Sequence, residues 1–387
     1  MPVRFITQAG TIRVMVGSLD YSRLVKEVLD TSLRVKPNDK VWIQSWDHTL
    51  DLAYAFASEC ASRACPWMLS VRHEDAWLRS IINGTRARLE DLTPLERAAL
   101  EETDCYIFTM GPRRPIPWSS IPEEKRGYVP MWLDTRYDKS TYARRWARVA
   151  RAHGVKMLAI EATLATPERA RAQGLNYEEL SDVLFRGCLA DHKAIARRAR
   201  RLAKFISGKG SVSLTSPAGT RLEFELDRRP VGVSDGISTE EMAQKGRIVF
   251  LPAGAIDVSV DEESAHGRIV YDYPVRLGSE IIENLVIDVK DGRTEHYTAT
   301  RGSKALGEYL KRGGEDAGRF AYFGFGLNPN LKHGFTQDDK VLGDVTLGFV
   351  DNRSIGGENS ASDQWWASVT KTTVKVEEVA LSKTTNR

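Results

Sequence analysis

Three residues of this chain have the chemistry of acid–base catalysis: His266, Asp257 and Tyr322. A histidine titrates near neutrality, and His266 stands in DEESAHGRI between Glu263 and Arg268, where it suits either general acid–base work or an ordinary turn. Asp257 lies in FLPAGAIDV (250–258), two positions after Ala255, so strand alternation puts both on one face. There it can hold His266 in one tautomer, act as a base itself, or simply face solvent. The Tyr322 phenol can donate a proton, and the Trp366 ring can stack on a planar molecule; both can equally serve as core. Thr346, Asn328, Asn359 and Gln364 offer neutral hydrogen bonds, and with Glu358 they make a set suited to an uncharged polar substrate. Ser360 and Ser362 read as local caps, because no G-x-S-x-G elbow surrounds them.

Most of these residues fall in Phe320–Trp366, where seven glycines punctuate short apolar runs. That pattern predicts brief strands and tight turns in a β-rich core, with Asn328, His333, Asp351, Glu358, Asn359, Asp363 and Gln364 presented near the turns.

Four landmarks in this half resemble the aminopeptidase T family of metallo-exopeptidases and the related 2,5-dihydroxypyridine dioxygenases. LPAGA (251–255) is similar to that family's Pro-Thr-Gly-Glu, and AYFGFGLNP (321–329) to its Glu-Phe-Gly-Ile-Gly-Thr-Asn-Pro. DKVLGDVTLGF (339–349) resembles Asp-Glu-Lys…Gly-Thr-x-His-x-Ala-x-Gly, and GGENSASDQWW (356–366) resembles Gly-Gly-x-Asn-x-Ser…His-Trp-Asp. The resemblance implies an α/β domain followed by a β-rich catalytic domain, and association as a homodimer. It also places the family's metal ligands on Ala255, Tyr322, Thr346, Gln364 and Trp366, where this chain has no glutamate, histidine or aspartate. Nor does the spacing of His266, Asp257 and His333 predict a displaced site. The expectation is therefore a metal-independent enzyme without a cofactor, using acid–base chemistry of hydrolase or lyase type on a small aromatic or cyclic molecule. A metal-dependent leucyl aminopeptidase and a non-catalytic small-molecule-binding protein are the alternatives.

Composition sets the frame. The 387 residues, 42% hydrophobic and 28% charged, read as an ordinary globular protein of more than one domain. A net charge of +3 leaves no footprint for nucleic acid or an anionic membrane. No run is long enough to span a bilayer and no signal peptide opens the chain, so a cytoplasmic location is expected. Cys60, Cys65, Cys105 and Cys188 are scattered and read as inert core thiols.

Along the chain, TIRVMVGS reads as an opening strand and SRLVKEVLDTSLRV as a helix. The runs DKVWIQSW, CPWMLSVR, DCYIFTMG, YVPMWLDT and VKMLAIEA read as buried strands alternating with helices, which predicts a parallel sheet with flanking helices. The absence of glycine in QSWDHT excludes a dinucleotide fingerprint after the first of them. In the loop GPRRPIPWSSIPEEK (111–125), Arg113 and Arg114 belong to a stiff surface connection or to a lid that meets an anionic group. The basic helix HKAIARRARRLAKF carries Ile195, Ala199 and Leu202 at helical spacing, so its cations are a solvated face. SGKGS then marks a boundary near 208, dividing an α/β domain, 1–208, from a β-rich α+β domain, 209–387, that holds the remaining strands from SVSLTS through GRIVFLPAGAIDV to VTKTTVKVEEVA.

Overall fold

The computed structural model describes residues 4–8, 11–16, 19–129, 141–277, 280–361 and 364–381, with the backbone alone below residue 21. The chain divides into two units, Met1–His192 with Gly236–Ala253, and Lys193–Asp235 with Gly254–Arg387. The first unit thus takes back a segment from beyond position 208, and the second takes the basic helix from residue 193 on.

The first unit is built on a five-stranded, wholly parallel sheet in the order Ile248–Leu251, Lys156–Ile160, Cys105–Thr109, Val41–Trp46, Trp67–Arg72. The three middle strands are buried along their whole length, as continuous apolar runs in a parallel sheet should be. Thr93 starts the helix Pro94–Glu101 through the capping box read from its sequence: its hydroxyl accepts from the Glu96 amide at 3.1 Å, and the Glu96 carboxylate accepts from the Thr93 amide at 2.8 Å. One strand corrects the sequence reading. Ile248–Leu251, expected in the β-rich domain, pairs in parallel with Lys156–Ile160. Its side chains alternate between buried and half-buried, which suits the edge of a sheet, and no local signal tells which sheet an edge strand joins. The expected strand YVPMWLDT lies, from Pro130 on, outside the described residues.

All four cysteines are buried, and burial pushes the Cys60 and Cys105 thiols up to about 12. Among the described residues no helix is long and apolar enough to cross a membrane.

Among the described residues the second unit carries two large antiparallel sheets and a small two-stranded one, Val275–Leu277 with Glu280–Ile282. One has five strands in the order Val231–Ser234, Ala255–Ser259, Tyr322–Gly326, Val345–Phe349, Trp365–Val369. The other has seven, running Arg293–Thr298, Val286–Lys290, His266–Val270, Arg221–Glu225, Ser211–Thr215, Thr373–Val376, Val379–Ala380. Aromatic rings join them: Phe224 of the seven-stranded sheet lies 5.4 Å from Phe323 of the five-stranded one, and within the latter Phe349 stacks on Trp365 at 4.7 Å. The basic helix His192–Ile206 buries Ile195, Ala199, Leu202 and Ile206 and leaves Lys193, Arg197, Arg200, Arg201 and Lys204 exposed.

Candidate active site

Alternation splits the five-stranded sheet into two unlike faces. Ile256, Val258, Phe323, Phe325, Val345, Leu347, Phe349 and Val369 are buried on one side as core. The opposite side is small and polar. One registered row across it reads Gly232, Asp257, Gly324, Thr346, Ser368, and the next reads Ser259, Tyr322, Gly348, Trp366. Ala255, Tyr322, Thr346 and Trp366, which the resemblance aligns with metal ligands, therefore share one face, and Gln364 lies one alternation before Trp366.

The glycines make this face possible. A Cβ on Gly324 would stand 2.9 Å from the Tyr322 hydroxyl oxygen, and one on Gly232 would stand 2.3 Å from an Asp257 carboxylate oxygen. Tyr322 and Asp257 thus lie flat across their neighbours, and the phenol occupies space between the aligned positions. Burial first, then the charges of Asp257 and Asp339, hold the Tyr322 phenol well above its ordinary range, so it stays protonated and serves as a donor. Thr346 and Ser368 share a hydrogen bond of 2.9 Å, and the Trp366 ring is 46% exposed, open for stacking.

His266 is not part of this arrangement, which corrects the pairing expected from its nearness in sequence to Asp257. The chain leaves the five-stranded sheet at Ser259 and re-enters the other sheet at His266. There the exposed imidazole has Nδ1 3.2 Å from the Ser264 carbonyl oxygen and Nε2 3.4 Å from Glu223, and none of its contacts is to Asp257 or Tyr322.

The histidine at the polar face is His333. Its Nδ1 is 2.7 Å from Asp344, its Nε2 3.6 Å from Asp338, and its ring centroid 4.0 Å from that of Tyr273. Asp344 precedes Thr346 by one alternation and so belongs to the same face. Burial opposes the charge on His333, but the hydrogen bond it donates to Asp344 and the charge of Asp338 outweigh it and raise its pKa. Burial also raises Asp338. The signal in the sequence was the alternation D-V-T across 344–346, which brings a carboxylate onto the face that Thr346 occupies.

The remaining expected residues, Asn328, Asn359 and Glu358, make hydrogen bonds within the fold. The buried Asn328 accepts the Asn330 amide at 3.0 Å and shapes its own turn. Asn359, also buried, donates to the carbonyls of Val350 at 2.8 Å and Asp316 at 3.1 Å. The Glu358 side chain is exposed, and its amide donates to Glu262 at 2.7 Å. These contacts belong to a lock around Glu262, which Arg229 grips through two 2.7 Å bonds while Asn352 donates to it at 2.6 Å. Asn352 reaches Ser259 and the Ala321 carbonyl at 2.9 Å as well, tying the 350–359 loop to the strands that carry Asp257 and Tyr322.

The aligned positions do not fit a catalytic metal. Ala255 has no donor atom, an indole does not ligate, and Thr346 and Gln364 are neutral, so these positions themselves supply no charge to compensate the desolvation of a dication. Among the described residues no group of three or more His, Cys, Asp or Glu is placed to hold a metal ion.

The family model described as thermophilic metalloprotease (M29) matches residues 20–321. Two solved structures share the fold. Wild-type AmpT from Thermus thermophilus has a TM-score of 0.64 at 16% identity, over 92% of this chain and 94% of that one. The 2,5-dihydroxypyridine dioxygenase from Pseudomonas putida KT2440 has a TM-score of 0.62 at 15% identity, over 95% of this chain and 96% of that one. No curated protein sequence matches the chain.

Proposed function

Because the chain belongs to the thermophilic metalloprotease (M29) family, we propose that it is an enzyme on that scaffold which has exchanged metal chemistry for acid–base chemistry on a small aromatic or cyclic molecule. The observation that carries this reading is the composition of the polar face. Every aligned ligand position has lost its acidic or imidazole group, and Tyr322 lies across the space between them.

In this reading an exposed Trp366 stacks on the planar substrate, Tyr322 donates a hydrogen bond to an oxygen where negative charge develops, and Asp257 or His333 moves the proton. Thr346 and Ser368 supply neutral hydrogen bonds. Protein purified without a polyhistidine tag is expected to hold well under one divalent metal per chain by elemental analysis, and to cleave a leucine anilide no faster with zinc or cobalt than with chelator. Stoichiometric metal, or a peptidase activity lost to chelator and restored by zinc, returns the leucyl aminopeptidase reading to first place.

We also propose the homodimer that the family resemblance implies. Light scattering is expected to give twice the chain mass at micromolar concentration, and a monomer there refutes it.

A further inference from the structure

The parallel sheet of the first unit has a topological switch point. From Val41–Trp46 the chain passes outward to Trp67–Arg72, then returns to Cys105–Thr109 on the other side and continues to Lys156–Ile160. In open α/β sheets, the segments leaving the carboxyl ends of the strands on either side of such a point diverge and leave a crevice where ligands bind. Here a cleft of about 90 Å³ is lined by residues from those segments: His48 and Thr49 after the first strand, Arg113 after the third and Thr163 after the fourth, with Tyr177 and Ser181 closing it. None of its lining residues is acidic.

Two groups in this cleft lack partners. The His48 side chain is only 7% exposed, and neither ring nitrogen has a hydrogen-bond partner among the described residues. Burial holds its pKa below the ordinary value, against the pull of the Thr163 main chain and of Asp47, 3.8 Å away. Of the two adjacent arginines, Arg114 is engaged by Glu74 at 3.0 Å and Asp75 at 2.7 Å. The exposed Arg113 guanidinium makes no ion pair or hydrogen bond among the described residues. Its backbone, by contrast, is fixed. Thr166 donates to the Arg113 carbonyl at 2.7 Å, and the half-buried Arg169 donates to the carbonyls of Pro112 at 3.0 Å and Arg114 at 3.2 Å. The helix Leu50–Ser62 also begins at this cleft, adding the positive end of its dipole.

The geometry points to an oxyanion site in the first unit, in which Arg113 and His48 hold the phosphate or carboxylate group of a small metabolite. The Arg113 guanidinium, carried on a fixed backbone, and the buried His48 imidazole are the donors such a group needs. The cleft, at about 90 Å³, has room for an anionic head group.

The test is calorimetric titration of the full chain with inorganic phosphate, acetate and succinate, with choline as a cationic control. One oxyanion site per chain is expected, weakened at least tenfold by Arg113→Gln and by His48→Phe, and unchanged by Arg114→Gln. Phosphate binding alone identifies a phosphate group as the ligand, and acetate or succinate binding alone a carboxylate; either supports the assignment. No oxyanion binding at 10 mM, equal binding of choline, or undiminished binding in Arg113→Gln overturns it. Arg113 is exposed, so its variant folds irrespective of the outcome, and none of these results bears on the polar face of the second unit.

Discussion

Arg229→Met is expected to destabilise the second unit by about 3–5 kcal/mol, because it leaves the buried Glu262 carboxylate without its cation. Glu262 is 4% exposed, and its two oxygens are held by Arg229, Asn352 and the Glu358 amide. Burial alone would push this carboxyl up, yet those bonds together outweigh it and bring its pKa from 4.5 to about 2. The sign follows from linkage. A depressed carboxylate stabilises the fold above its unfolded pKa, and that stability drains away as pH falls from about 4.5 to about 2. A shift of this size corresponds to roughly 3 kcal/mol. Urea unfolding followed by tryptophan fluorescence should therefore show the Arg229→Met transition at lower urea at pH 7, with the difference shrinking toward pH 2. Arg229→Met combined with Glu262→Leu should recover much of the loss, since an apolar pair leaves no charge stranded. A loss below about 1 kcal/mol at pH 7 would show that the lock does not hold the loop.

The lock also shows where sequence reasoning stops. Glu262, Arg229 and Asn352 are separated by 33 and 90 positions or more, and no periodicity marks them. The conspicuous polar residues of the same loop, Glu358 and Asn359, stand near glycine turns that so often carry function, and the sequence offers them as substrate contacts. Elements, in contrast, were written locally. Val41–Trp46, Cys105–Thr109 and Lys156–Ile160 follow from short apolar runs, and the helix at Pro94 from its capping box. Ile248–Leu251 is legible as a strand, but its sheet is not, since partner choice depends on long-range register. The polar face was partly legible: period-two alternation put Asp257 beside Ala255, and the aligned positions do share that face. What alternation does not give is the strand that comes next in space. For that reason His266, nine residues from Asp257, lies on another sheet, while His333, eleven residues before Asp344 in the chain, pairs with it.

His333→Asn is expected to lower turnover on the enzyme's substrate by on the order of 10²–10⁴, the usual worth of a general acid–base group. The pair with Asp344 at 2.7 Å fixes which ring nitrogen carries the proton and leaves Nε2, 3.6 Å from Asp338, as the end that can exchange one. Four groups face this imidazole or lie near it: Asp344, Asp338, Asp272 and the Tyr273 ring. Their combined charge favours the imidazolium against burial, so the pKa lies above its ordinary 6.5. The fold accordingly gains stability from His333 that is fully present below the unfolded pKa and is lost as pH rises through the folded one. Proton NMR can read this without any substrate: the His333 ring resonance should titrate above 6.5, and Asp344→Asn should shift its midpoint down. Once a substrate is found, kcat should show a limb that moves in the same direction in Asp344→Asn, whereas His266→Ala should leave turnover unchanged. A His333 resonance titrating at or below 6.5, or His333→Asn with full turnover, removes it from the chemistry. Lost turnover in His266→Ala would instead restore the histidine that sequence alone favours.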